Sequence, residues 1–109
     1  DTTRFMRHHI QKEEALAHLA AEFIHTESNR QSLITVTRAY LTPDERRADI
    51  YFTVLPSEQE EAVETFLKRK RTEFRDFIKH HTNFRVLPTV DFMLDRGEKN
   101  RQELEELSK

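Results

Sequence analysis

The chain has 109 residues, enough for one domain built around one hydrophobic core. It contains no cysteine and only one glycine, Gly97. Disulfide bonds, a thiolate nucleophile, a cysteine-ligated zinc site and the glycine-rich phosphate-binding loops are therefore excluded. The net charge of −2 for the whole molecule neither indicates nor excludes a polyanionic partner. Because no stretch is apolar enough to cross a membrane and the first residues do not resemble a secretory leader, we expect a cytoplasmic protein without a membrane anchor.

The first half of the chain predicts a helix followed by a β-hairpin. Apolar residues recur at helical spacing from Phe5 to Ile24, and a polar run ends this first helix. The segment from Leu33 to Leu41 is rich in β-branched residues and predicts the first strand. Strict alternation from Ala48 to Leu55 predicts a second strand with one buried face, and Thr42-Pro43-Asp44 supplies the turn between the two strands.

The first strand has an irregular apolar pattern. Ile34 and Val36 are in phase with each other, but Ala39 and Leu41 fall on the opposite parity. One extra residue in this strand would bring both pairs to the same face. We therefore predict a β-bulge near Thr37-Arg38.

The second half predicts a long helix and a third strand. After Pro56, the sequence Ser57-Glu58-Gln59-Glu60 matches a capping box, and an apolar stripe from Ala62 to Ile78 follows without glycine or proline. Alternation from Phe84 to Leu94 predicts the third strand. Because Pro88 has no N–H to donate, it should lie at an edge or a bulge.

The resulting order is helix, strand, strand, long helix, strand. A crossover of more than twenty residues suits a strand that returns to the same sheet with one covered face. We predict an α+β fold, a two-layer sandwich with the type II KH-like order α-β-β-α(α)-β. Residues 1–95 would form this KH-like domain, a kind of domain that binds RNA. Residues 96–109 would form a short C-terminal helical tail, in which only Leu104 and Leu107 can be buried.

Charge is distributed unevenly along the predicted long helix. Residues 57–65 carry four acids and no base, whereas residues 66–85 carry seven bases and two acids. These bases are the candidate phosphate-contacting residues: Lys68, Arg69, Lys70, Arg71, Arg75, Lys79 and Arg85. Acids at the start of a helix and bases at its end also complement the helix dipole without any ligand, so a solvated face remains an alternative.

Arginines of the predicted hairpin extend the candidate surface. Arg38, Arg46 and Arg47 surround the turn, and loop tips on rigid hairpins often carry recognition residues. Solvated turn charges balanced by nearby acids are the alternative. Tyr51 on the open face of the sheet could stack a base, although an exposed tyrosine in a strand is also ordinary.

The six histidines do not predict a metal site. None of them shows the His-x-x-x-His spacing that places two imidazoles on one ion, and no cysteine joins them. No set of nucleophile, base and acid can be argued either, because the acids are scattered over helical faces. We expect no cofactor, no metal and no enzymatic activity.

Several segments of the chain together resemble the ribosome-binding factor A family. The similar segments are Leu33-Ile34-Thr35-Val36-Thr37-Arg38, Thr42-Pro43-Asp44, Ala48-Asp49-Ile50-Tyr51-Phe52-Thr53-Val54-Leu55 and Arg85-Val86-Leu87-Pro88-Thr89-Val90-Asp91-Phe92, with Asp95, Leu104 and Leu107 beyond them. The resemblance covers roughly residues 4 to 107. It implies a type II KH-like fold that binds 16S ribosomal RNA in the small (30S) ribosomal subunit and assists late maturation of that subunit without catalysis.

One segment departs from the family pattern. Standard KH domains clamp backbone phosphates with a Gly-x-x-Gly loop, and the resemblance implies an Ala-x-Gly kink in its place. Lys70, Arg71 and Thr72 stand at those positions here, and none is glycine. We therefore predict either one continuous helix from about Glu58 to His80 or a shallow bend at Thr72.

Two functions remain at this point. The first is a ribosomal RNA-binding assembly factor that works stoichiometrically, and as a monomer when it is off the ribosome. The second is a protein-interaction module whose acidic and basic helix halves mediate docking, with no role in RNA binding.

Overall fold

The fold follows the predicted order of helices and strands. The computed structural model describes residues 2–27 and 31–97, apart from the side chains of residues 2, 4 and 5. Its elements in chain order are α1 (Thr2–Glu27), β1 (Leu33–Leu41), β2 (Arg47–Leu55), a 3-10 turn (Ser57–Gln59), α2 (Glu60–Arg69), α3 (Arg71–His81) and β3 (Thr89–Leu94). Helix α1 is longer at both ends than its apolar stripe predicts, because polar residues continue it where burial is not needed.

The three strands form a mixed sheet in the order β1-β2-β3. Strands β1 and β2 pair antiparallel as a hairpin, and β3 pairs parallel to β2 after the crossover through α2 and α3. Alternate residues of β2, from Ala48 to Val54, are buried against the helices. The predicted α+β two-layer sandwich with type II KH-like order is thus confirmed.

The predicted bulge is present in β1. Val36 pairs with Phe52 and Arg38 pairs with Tyr51, so Thr37 has no opposite residue in the ladder. The extra residue changes the parity of the strand, and the apolar residues on both sides of the bulge then face the helical layer.

Aromatic side chains join the two layers at the centre of the core. Phe74 of α3 is fully buried, and its ring centroid lies 5.1 Å from that of Phe23 in α1 and 5.5 Å from that of Phe92 in β3. Tilted ring pairs at these distances are favourable in addition to the area that they bury. This contact therefore fixes α3 against both α1 and β3.

Side chains of α1 complete the hydrogen bonding at the end of edge strand β1. Glu13 Oε2 accepts a 2.8 Å hydrogen bond from the Leu41 N–H, and His9 Nε2 lies 2.7 Å from the Leu41 carbonyl oxygen. Next to them, Lys12 Nζ donates to Glu45 Oε2 at 2.6 Å. Because Leu41 is only 2% exposed, water has little access to these backbone groups. The three polar side chains thus hold the hairpin against α1.

The predicted capping box does not form. Gln59 N donates to the Pro56 carbonyl oxygen at 3.0 Å, which closes a 3-10 turn and places Ser57 inside it rather than at a helix N-cap. Helix α2 then begins at Glu60, and within the described chain neither Pro56 nor Gln59 caps through its side chain. Acidic residues in the first turn, Glu60 and Glu61, instead complement the helix dipole.

Strand β3 begins at Thr89, five residues later than predicted. The parallel extension starts where the Thr89 N–H donates to the Arg46 carbonyl oxygen at 2.8 Å, and the preceding Pro88 is buried and has no N–H to offer. Pro88 therefore lies just ahead of an edge strand. Residues 96 and 97 are helical, and the rest of the predicted tail helix lies outside the described residues.

Candidate RNA-binding surface

The run of four basic residues spans a break between two helices. Lys70 has φ −94° and ψ 6°, and its N–H donates to the Leu67 carbonyl oxygen at 3.0 Å. Arg71 stabilises the break because its Nε donates to the Lys68 carbonyl oxygen at 2.9 Å. The prediction of a continuous helix, or of a bend at Thr72, is therefore wrong. This backbone conformation lies at negative φ, where residues with a Cβ are allowed, so the break needs no glycine.

Two residues of the run turn toward strand β3. Lys68 Nζ donates to Asp91 Oδ1 at 2.9 Å and to the Phe92 carbonyl oxygen at 3.0 Å. Arg71 Nη1 donates to the same oxygen of Asp91 at 3.5 Å. Both cations thus border the sheet edge, and one carboxylate neutralises part of their charge.

Two further cations continue this line along α3. Arg75 follows Arg71 by one helical turn, and its Nη2 donates to the Leu87 carbonyl oxygen at 3.2 Å. Lys79 follows Arg75 by another turn and is exposed. We call Lys68, Arg71, Arg75 and Lys79 the β3-side stripe. The spacing of three, four and four residues places all four on one flank of the helix pair.

Lys70 does not belong to this stripe. Its Nζ lies 3.1 Å from Glu73 Oε2 and 3.6 Å from Glu27 Oε2, on the side of α1. It also lies 5.6 Å from the centroid of the Phe66 ring. The hydrogen bond to Glu73, followed by the charges of Glu73 and Glu27, raises the pKa of the Lys70 ammonium against the opposing effect of desolvation. Lys70 is therefore charged but paired with acids.

Arg69, Arg85 and Arg46 are exposed. Within residues 2–27 and 31–97, the side chains of these three and of Lys79 form no hydrogen bond or ion pair. The Arg46 carbonyl oxygen accepts from Thr89 N, and the Leu87 carbonyl oxygen accepts from Arg75, so residues 87–89 connect the hairpin turn with the stripe. The fold thus brings Arg46 to the same edge of the molecule as α3.

The other two hairpin arginines lie on the open face of the sheet. Arg47 Nε is 3.3 Å from Asp49 Oδ1, and Arg38 Nε is 3.9 Å from Asp95 Oδ2. The Arg38 guanidinium carbon lies 4.2 Å from the centroid of the Tyr51 ring, so the arginine covers the tyrosine that we considered for base stacking. These two cations are therefore paired with acids and do not belong to the β3-side stripe.

Sequence reasoning missed the part played by Asp91. Alternation along β3 places it on the open face, but its partners Lys68 and Arg71 are 23 and 20 residues away. Partial burial acts to raise the pKa of Asp91, but the hydrogen bonds from Lys68 and the Phe92 N–H, with the charges of Lys68 and Arg71, hold that pKa below its ordinary value. Asp91 is therefore an anion at neutral pH. No local pattern could have indicated these contacts.

Other kinds of site find no support among the described residues. No group of three or more histidine and acidic side chains is arranged to hold a metal ion there. His80 and His81 instead place Nδ1 near the carbonyl oxygens of Asp76 and Phe77, at 2.7 and 2.8 Å, within the end of α3. None of the described helices is long and apolar enough to cross a membrane.

Comparison with known proteins agrees with this fold. Residues 4–108 match the family described as Ribosome-binding factor A. The chain is 35% identical over 79 residues to ribosome-binding factor A from Thermobifida fusca, an alignment that covers 72% of this chain and 52% of that protein. The chain spans about half the length of this and similar curated relatives.

Two solved or fitted structures are similar to the fold. The crystal structure of ribosome-binding factor A from Thermus thermophilus has a TM-score of 0.68 and 23% identity, covering 75% of this chain and 90% of that chain. A homology model of the Thermus thermophilus factor, fitted into a cryo-electron microscopy map of its complex with the 30S subunit, has a TM-score of 0.64 and 24% identity, covering 80% and 90%. Because the family match extends over nearly the whole sequence, the chain belongs to the ribosome-binding factor A family.

Proposed function

We propose that this protein binds 16S ribosomal RNA in the small ribosomal subunit and assists late maturation of that subunit without catalysing a reaction. Membership of the ribosome-binding factor A family is the observation that carries the proposal. A related factor that has been fitted into a map of a 30S complex supports the choice of partner. The protein would work as a cytoplasmic monomer that occupies its RNA site until the subunit matures.

The physical basis of binding is electrostatic. Arg75 and Lys79 of the β3-side stripe present positive charge to solvent along α3, and Arg69, Arg85 and Arg46 are further exposed cations. Each phosphate that such a side chain neutralises releases counterions, so the logarithm of the affinity falls by about 0.7 to 0.9 per contact for each unit of log salt concentration. Recognition of this kind reads the backbone and shape of RNA rather than its base sequence.

Binding to subunits tests the proposal directly. The protein is mixed with immature or mature small subunits, and its co-sedimentation is measured at several salt concentrations. We expect preferential binding to immature subunits with a steep salt dependence. Equal and salt-independent retention on both, or no retention, contradicts the proposal and favours the protein-interaction module.

Single substitutions locate the contacts. We expect Arg75→Ala and Lys79→Ala each to reduce the log-log salt slope by about 0.7 to 0.9. Arg7→Ala is a matched control, since Arg7 is also an exposed cation on a helix but lies in α1, away from the stripe. An equal loss of slope in all three variants would show that total charge, rather than this edge, determines binding. Thermal denaturation of each variant separates lost contacts from lost folding.

A further inference from the structure

Lys68 and Arg71 of the β3-side stripe both contact the carboxylate of Asp91. Asp91 Oδ1 receives Lys68 Nζ at 2.9 Å, Arg71 Nη1 at 3.5 Å and the Phe92 N–H at 2.9 Å. The Asp91 side chain is 26% exposed, and it lies on edge strand β3, where the surface next to the helix break is accessible. Three donors therefore converge on one carboxylate oxygen at the border of the proposed RNA surface.

A carboxylate and a phosphate compete for the same donors. Lysine and arginine bind both through charge-assisted hydrogen bonds, and arginine does so with similar geometry. Asp91 is attached to the chain and ordered by its bond to Phe92 N–H, so its local concentration is constant. An RNA phosphate therefore competes with Asp91 for Lys68 and Arg71, whereas in the described chain Arg75 has a carbonyl oxygen as its partner and Lys79 is exposed.

We infer that Asp91 is a specificity-determining residue of this surface, an internal competitor that withholds Lys68 and Arg71 from RNA not docked on the rest of the protein. The inference rests on the proposed function, and it assigns a role in RNA binding to a negatively charged residue of the surface. Unstructured RNA then contacts mainly Arg75 and Lys79, the two cations of the stripe that Asp91 does not hold. A correctly shaped subunit is held by other contacts first, and its phosphates then compete with Asp91 at high local concentration.

The test compares Asp91→Asn with wild type on two ligands, poly(U) and purified immature small subunits. Asparagine is close in size and can still accept from the Phe92 N–H. Asp49→Asn is the matched control, because Asp49 pairs with Asp91 in the β2–β3 register, is held by the exposed Arg47, and its loss changes the net charge equally. Dissociation constants are measured between 50 and 200 mM salt.

We expect Asp91→Asn to steepen the log-log salt slope for poly(U) by about 1.4, the single-strand value for two phosphate contacts, so its affinity should change roughly 7-fold more than that of wild type over this salt range. The ratio of poly(U) to subunit dissociation constants should fall. Adding Lys68→Ala and Arg71→Ala to Asp91→Asn should remove the gain. Asp91→Ser serves as a second variant if the asparagine variant unfolds.

Different results would contradict the inference about Asp91 and the proposed function. Wild-type binding to subunits together with no greater change in Asp91→Asn than in Asp49→Asn overturns this inference alone. Weaker binding by a folded Asp91→Asn variant also overturns it, because Asp91 would then orient the cations for RNA. If the wild-type protein binds neither ligand, the proposed function fails and the inference fails with it.

Discussion

The contact between α1 and the hairpin gives a stability prediction that can be worked out from the structure. In Glu13→Ala the Leu41 N–H loses its carboxylate acceptor, which lies at 2.8 Å. Leu41 is 2% exposed, so water cannot readily replace that acceptor. An unsatisfied buried backbone donor costs about 1 to 3 kcal/mol. We expect a loss of about 2 kcal/mol, which corresponds to a fall in melting temperature of about 8 to 16 °C for a domain of this size.

Urea denaturation of Glu13→Ala and Glu14→Ala is the appropriate assay. Glu14 is exposed on the same helix, so helix propensity and net charge change equally in the two variants. Glu13→Ala also removes the bond to Leu41 and the weaker contact with His9 Nε2 at 3.8 Å. We expect Glu14→Ala to stay within about 0.5 kcal/mol of wild type. Glu13→Gln, which keeps an acceptor oxygen, should lose less than Glu13→Ala. Identical free energies of unfolding for Glu13→Ala and Glu14→Ala would refute the reasoning.

Three further outcomes are expected. Phe74→Ala empties the space between Phe23 and Phe92, so the free energy of unfolding measured in urea should fall by about 3 to 5 kcal/mol. Val86 is exposed, and a change in Phe74→Ala no larger than that in Val86→Ala would contradict the described core. Lys70→Ala should leave the salt slope of subunit binding unchanged, and a loss as large as that of Arg75→Ala would place Lys70 on the binding surface. Because the pKa of Asp91 is lowered by folding, its stabilisation is complete above the ordinary value of 3.8 and is lost as pH falls through the lower value in the folded protein. The melting temperatures of wild type and Asp91→Asn should therefore differ at neutral pH and converge at acidic pH. A difference that is absent at neutral pH, or that does not change with pH, would contradict the pairing.

Local patterns predicted the parts of the fold that depend on near neighbours. Alternation along β2 follows from a sheet with one covered face, and the parity change between Val36 and Ala39 can be satisfied only by an extra residue. The length of the crossover suited the return of β3 to the same sheet, where it pairs parallel to β2. These inferences held because each depends on a periodicity that the chain itself displays.

The predictions failed where another interaction outweighed the local sequence pattern on which they were based. A missing glycine predicted no break at Lys70, yet the observed dihedral angles are open to lysine, and the Arg71 side chain supplies a donor at the break. The capping box was predicted with Ser57 as the N-cap. Instead, a hydrogen bond from the Gln59 N–H to the Pro56 carbonyl oxygen forms a 3-10 turn that contains Ser57. The ion pairs of Lys68 and Lys70 join residues far apart in sequence, so no periodicity could indicate them.

The helix break also changes where the sequence alone would place phosphate contacts. Four consecutive cations suggest the strongest attraction at residues 68–71, the place of the Gly-x-x-Gly loop in standard KH domains. The structure compensates part of the charge of that region, since Lys70 faces two glutamates and Lys68 and Arg71 share Asp91. In the described chain, Arg75 and Lys79 lie farther along α3 and form no ion pair with an acid. Arg46 at the hairpin turn forms none either, although the Asp44 carboxylate is close to it. An RNA backbone that follows the least compensated charge would therefore run along α3 toward the hairpin, and at the break it would compete with the Asp91 carboxylate for Lys68 and Arg71.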